Sequence, residues 1–218
     1  MFNILLLSAS IFLGLYGPVS QALAVPFETE ALSSLRYNFR LAAVNSTLPN
    51  SNSTGVPLVL GQGGESFDSA NGATSGLYFY VTSTYASYPY NEYPSLALVN
   101  KELHAFTRSG QWITNATEVR NGTTLGWVST TIYTAPAPQV YTALKNASNS
   151  TQRYPILAAH GVSDLWSLCT FHGTYPQNNV VYNVSAAIEQ ASAQGAQPLP
   201  FDAESCYEVL INIVPASF

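Results

Sequence analysis

The sequence predicts an all-β fold, a single compact antiparallel β-sandwich or barrel with one short helix near residues 185–194. Three observations lead there. Short runs of aliphatic, β-branched and aromatic residues recur along the chain, split by clusters of Gly, Pro, Asn and Ser every ~8–15 residues, the spacing of sandwiches and barrels. Within several runs apolar and polar residues alternate, the period of a half-buried strand. Only one segment has a helical composition. A three-fold barrel is the alternative, because SLALVNKELHAF (95–106) and PILAAHGVSDLWSLCTF (155–171) both run strand, turn, strand.

The elements follow in order. Residues 4–16 are apolar and uncharged, Gly17 and Pro18 interrupt them, and Ala22-Leu23-Ala24 follows. That pattern reads as a secretory signal peptide over 1–24, cut after Ala24. A bilayer span takes about 20 apolar residues, so the run is short for an anchor. Residues 25–218 then form one secreted domain, with 25–34 as a lead-in and no membrane anchor after cleavage. Leu35–Val44 alternates apolar and polar residues as a strand does, and 45–56 is turn composition. Val59 and Leu60 lead into a Gly-rich stretch without Lys or a G-x-G-x-x-G register, so it is no phosphate cradle. Leu77–Thr82 is a strong strand. Residues 95–99 and 103–106 form a hairpin around Asn100-Lys101-Glu102. Further strands fit 111–114, 124–131, 139–144, 154–158, 165–171, 180–184 and 207–214. Ser185–Gln194 is the helix, and Gly195 stops it.

Composition restricts the function. Only 9% of residues are charged, against about 25% in ordinary soluble domains. With 7 Lys+Arg against 12 Asp+Glu, no cationic face exists for nucleic acid. Asn-x-Ser/Thr acceptor triplets begin at Asn45, Asn52, Asn115, Asn121, Asn146, Asn149 and Asn183. Chance would give about three, so the chain is rich in glycosylation acceptors, and glycans would hydrate a surface poor in charge. Cys169 and Cys206 are an even count in a secreted chain and read as one disulfide, with two buried thiols or a reactive thiol as alternatives.

Candidate chemistry is sparse. His160, Asp164 and His172 could ligate a first-row metal, but their spacing matches no tight motif. Surface or hydrogen-bonded histidines are the simpler reading, and no metal or cofactor is expected. His104, between Leu103 and Ala105, should face out from its strand. A glycoside hydrolase needs paired carboxylates, and only the loose groups Glu28/Glu30, Glu65/Asp68 and Asp202/Glu204/Glu208 occur. No nucleophile-elbow, zinc-protease or serine-triad signature appears, so no catalytic residue is assigned. The tyrosines of 78–93 are the more suggestive group. Tyr85, Tyr88, Tyr90 and Tyr93 either stack on sugar rings of a cell-wall polysaccharide or brace a Pro-rich loop.

The order Thr124-Leu125-Gly126-Trp127-Val128, then Ile156–Gly161, then Asp164-Leu165-Trp166-Ser167-Leu168-Cys169, then Val180–Asn183, then Cys206-Tyr207-Glu208-Val209-Leu210-Ile211 resembles the fungal phialide-type cell wall proteins. Relatives of that group are labelled IgE-binding proteins. The order is also distantly similar to the C-terminal domain of yeast cell wall proteins with internal repeats. The resemblance covers about residues 35–215 and implies an extracellular, wall-associated role without catalytic residues. Cys169 and Cys206 match the bridged positions of that family. The chain departs from it in having only two cysteines and no Gln-rich repeats of the kind that attach covalently to glucan.

Overall fold

A computed structural model describes residues 29–63, 77–130, 135–146, 153–172, 176–195 and 198–216. The expected leader, most of the Gly-rich stretch and Asn149 lie outside them. Among the described residues the chain is all-β with one short helix. Its strands are β1 (Thr29–Leu32), β2 (Phe39–Asn45), β3 (Val56–Gln62), β4 (Leu77–Thr84), β5 (Ser95–Val99), β6 (Glu102–Phe106), β7 (Trp112–Ala116), β8 (Gly126–Thr130), β9 (Tyr141–Asn146), β10 (Ile156–Ala159), β11 (Trp166–Phe171), β12 (Gln177–Tyr182) and β13 (Asp202–Pro215). The helix α1 (Val184–Ala193) lies between β12 and β13.

Nine strands close into an antiparallel barrel. Its order is β2–β5–β6–β7–β8–β4–β12–β11–β13, and β13 returns to β2. β3 lies between β2 and β4, while β10, β9 and β1 continue outward from β13. The seam is long: β13 pairs β2 from Val209↔Asn45 to Pro215↔Phe39. A barrel rather than a sandwich is the outcome, and closure removes most of the edges that open sheets must protect.

Two expected loops are strands. The lead-in contains β1, which adds to β9 from Thr29↔Asn146 to Leu32↔Ala143. The approach to the Gly-rich stretch contains β3, which pairs β4 from Leu58↔Thr84 to Gln62↔Tyr80. Gly61 pairs with Val81 in that strand, and the position takes glycine because a Cβ there would sit 2.2 Å from Gln177 Oε1 and 2.4 Å from Ser83 Oγ. Conversely, residues 35–38 are not strand. The β5–β6 hairpin is tight because Asn100 (φ 51°) and Lys101 (φ 67°) both adopt the left-handed conformation, as a type I′ turn requires.

Alternation places one side of each strand inside. Phe39, Leu41 and Ala43 of β2, Leu58 and Leu60 of β3, Trp127 of β8, Trp166 and Leu168 of β11, and Val209, Ile211 and Ile213 of β13 share one core. Four buried aromatics have their polar atoms paired. Trp127 Nε1 donates to Thr82 Oγ1 at 2.8 Å and Trp166 Nε1 to Leu157 O at 3.0 Å. Tyr182 OH donates to Ala159 O, and Tyr141 OH donates to Thr117 O. A buried polar atom left without such a partner would cost about 1–3 kcal/mol.

A second, smaller apolar cluster covers the other face of β11 and β12. It holds Cys169, Val181, Val184 and Phe201, with Phe171, Leu199, Ala203 and Cys206 against it. Cys169 and Cys206 are bridged there. Asn183 caps α1: its Oδ1 accepts from Ala186 N at 3.4 Å.

Candidate functional site

Between β4 and β5 the chain runs through Tyr85, Tyr88, Tyr90 and Tyr93, and local hydrogen bonds set the shape of this loop. Ser87 N and Tyr88 N both donate to Thr84 O at 3.1 Å, and Tyr90 N donates to Tyr88 O at 2.8 Å. Ser87 Oγ accepts from Asn178 N at 3.0 Å, which ties the loop to β12. Arg108 Nε donates to Asn91 O at 3.3 Å, which ties it to the β6–β7 turn. Tyr88 and Tyr90 pack edge to face at 5.1 Å. The loop is held at both ends and in the middle, so its rings need little further ordering on meeting a ligand.

The four tyrosines divide. Tyr85 is 47% exposed and Tyr90 62%. They line an open cleft of about 620 Å³ with Pro89, Asn91, Glu92 and Arg108, and with Thr107 and Ser109 of the facing turn. Tyr88 is half-buried, packs on Tyr90 and does not line the cleft. Burial raises its phenol above the ordinary value, with the Glu92 carboxylate and Tyr90 adding to the shift, so it remains a neutral donor. Tyr93 corrects the expectation. It is only 6% exposed and packs edge to face on Tyr80 at 5.2 Å, because it opens the core-facing side of the approach to β5. It anchors the loop and cannot stack on a ligand.

The cleft carries one carboxylate, Glu92, and one guanidinium, Arg108. Their charges offset, and the rest of the wall is aromatic, amide and hydroxyl. Apolar rings with a few convergent polar groups are the ordinary make-up of a small-ligand site.

The acceptor asparagines also divide. Asn45 Oδ1 accepts from Thr47 N, Thr47 Oγ1 and Leu48 N, and Asn52 Oδ1 accepts from Thr54 N and Gly55 N, all in exposed turns. Asn121 and Asn183, far apart in sequence, meet: Asn183 Nδ2 donates to Asn121 Oδ1 at 2.8 Å. Asn146 ends β9. Asn115 is a correction. It is 5% exposed, its Nδ2 donates to Ala135 O at 2.7 Å, and its Oδ1 accepts from Trp112 Nε1 at 2.8 Å. Those two bonds fix the orientation of the amide, so His104 Nδ1, 2.8 Å from the same Oδ1, carries a hydrogen. A glycan on this nitrogen has no room in the fold.

The histidines are not gathered. His160 Nε2 donates to Val119 O at 2.9 Å, while exposed His172 lies 3.9 Å from Asp202 Oδ2. Among the described residues no three His, Cys, Asp or Glu side chains come close enough to hold a metal ion. Asp202 Oδ1 accepts from Glu204 N, so this carboxylate shapes the bend before Cys206. His104 lies on the outer face of β6 as its neighbours predict, but Trp112 covers it.

Sequence reading missed Arg108 and the β6–β7 turn as the opposite wall of the cleft. A Thr-Arg-Ser-Gly stretch between two strands signals a turn, not its neighbour in space. The chain matches no protein family, no curated protein and no solved structure.

Proposed function

We propose that this is an extracellular, N-glycosylated, non-catalytic surface protein of fungal cell-wall type that holds a neutral wall polysaccharide non-covalently in the Tyr85–Tyr90 cleft. One observation carries the reading: two exposed tyrosine rings stand on a pinned loop and line an open cleft together with one carboxylate, one guanidinium and the hydroxyl residues of the β6–β7 turn. Sugar rings offer C–H faces to stack and hydroxyls to bond, and such a wall suits both. Binding fits better than hydrolysis, because Glu92 is the sole carboxylate lining the cleft among the described residues and glycoside cleavage takes two. The acceptor triplets, the disulfide and the motif order that resembles phialide-type wall proteins support the extracellular place.

Sedimentation with insoluble β-glucan and with chitin tests the proposal. The protein should be retained on at least one polymer. Each stacked ring contributes about 0.5–1.5 kcal/mol, so the double change Tyr85→Ala, Tyr90→Ala should weaken retention by about five-fold or more. Free passage of the unaltered protein on every wall polymer overturns the reading.

A further inference from the structure

Trp112 is the first residue of β7, directly after the turn that walls the cleft. It is 52% exposed, whereas the other two tryptophans, Trp127 and Trp166, are fully buried. An indole half in water is a large apolar surface, and here it is held still. Its N–H is spent on Asn115 Oδ1, and one side of the ring rests on the buried His104 at 4.1 Å between centroids. Phe106 lies behind it at 6.4 Å. What Trp112 presents outward is therefore the carbon surface of a rigid ring, without a donor to offer.

The polar groups beside it are well defined. Glu102 Oε2 lies 3.6 Å from His104 Nε2, so the carboxylate and the indole flank the same imidazole. Glu102 Oε1 accepts from Gln139 Nε2 at 3.1 Å, which holds the carboxylate in place while its side chain stays 27% exposed. A fixed aromatic face beside a held carboxylate and an amide matches a pyranose ring, with its C–H face on the indole and its hydroxyls donating to Glu102. A carboxylate at this place disfavours an acidic sugar.

The turn between the two places is stiff. Thr107 N donates to Gln111 O at 3.1 Å and Gly110 N to Thr107 O at 2.9 Å. Trp112 pairs with Phe106. It therefore sits at the base of the turn that carries Thr107, Arg108 and Ser109 to the cleft.

We propose that Trp112, Glu102 and Gln139 form a second subsite for the same neutral polysaccharide, so that the β6–β7 hairpin is read by several consecutive sugar units and not by one. This rests on the Tyr85–Tyr90 cleft being the first subsite, and the two can fail separately. The probes are soluble β-glucan and chitin oligosaccharides from the disaccharide to the hexasaccharide. Since Trp112 is the one exposed tryptophan, iodide quenching of the intrinsic emission reports it directly. Affinity should rise about ten-fold or more with chain length, and the hexasaccharide should shield the emission from iodide. Trp112→Ala should abolish the length dependence while leaving the disaccharide affinity unchanged. Trp112→Phe, which keeps a ring, and Glu102→Gln, which leaves the indole contacts intact, should each give an intermediate loss.

If Trp112→Ala keeps the length dependence, or if sugar never shields the emission although the cleft binds, the second subsite is wrong and the cleft stands. If the emission is shielded by raising protein concentration without sugar, the ring faces a second copy of the chain, and the proposal is overturned. If no oligosaccharide binds at all, the cleft reading has failed first.

Discussion

Asn115 shows how one side chain can look like a modification site and serve as a structural bolt. The triplet Asn115-Ala116-Thr117 is a formal acceptor, yet both ends of the amide are consumed in joining β6, β7 and the segment at Ala135. Burial is a property of the folded chain, so the triplet alone cannot reveal it. In secreted material, deglycosylation in heavy-oxygen water should label Asn45, Asn52 or Asn121 and leave Asn115 unlabelled. Asn115→Ala should lower the unfolding free energy in urea by about 1–3 kcal/mol, because it strands the His104, Trp112 and Ala135 groups. An occupied Asn115 in folded protein would contradict this. Tyr93 is the parallel case: four tyrosines in one stretch look alike on paper, and only packing against Tyr80 separates the anchor from the exposed rings.

Legibility at the scale of elements depended on how local the cause was. The β5–β6 hairpin was readable because the residues that make its turn, Asn100 and Lys101, are the turn. The helix was readable to within one residue, since its stop at Gly195 is also local. β1 and β3 were not readable, because each is a strand only by virtue of a partner far away in sequence, β9 and β4. The small cluster beneath α1 depends most on a covalent tie. Cys169 and Cys206 close a loop of 37 residues that contains β12 and α1, and such a loop contributes about 4 kcal/mol, less where the unfolded chain keeps structure. Replacing both cysteines with Ser should lower stability by up to that amount. Hydrogen exchange should quicken in α1 and at the start of β13 well before it does in β2 or β8. Uniform loosening of the whole barrel would show that the tie is not local. Gly122 belongs to the same contact. With φ 74° and a would-be Cβ 2.5 Å from Ala187 Cβ, it lets the 120–124 turn rest on the helix.

For the whole molecule, the all-β class was visible in periodicity, but closure was not. Choosing a barrel over a sandwich required knowing that β2 meets β13 and that β4 meets β8, and nothing in either strand's own residues announces its partner. The enclosed core carries a pH dependence of its own. Burial raises the Tyr141 phenol far above its ordinary value of 10.0, with Glu118 adding to it, and Tyr80 is raised in the same direction. The shift favours the neutral folded form, so its stabilisation is complete below about pH 10. Above that, phenols freed by unfolding ionise and the buried one does not. Stability should fall by up to about 1.4 kcal/mol per pH unit for Tyr141, until its folded-state value is reached. Urea unfolding at pH 9, 10 and 11 should show this fall, and Tyr141→Phe should lessen it; an unchanged slope in the variant would assign the fall elsewhere.

The seam between β2 and β13 also imposes a timetable. Among the described strands β2 is one of the first to emerge during synthesis, and the strand it needs on one flank is the last of them. Until residues 209–215 arrive, β2 presents an unpaired ladder to whatever is near. The local hairpins β5–β6 and β6–β7 have no such wait, since neighbouring residues complete them at once. The wall of the cleft can thus take shape while the barrel is still open, and the newborn chain passes most of its assembly with its earliest long strand waiting for its latest.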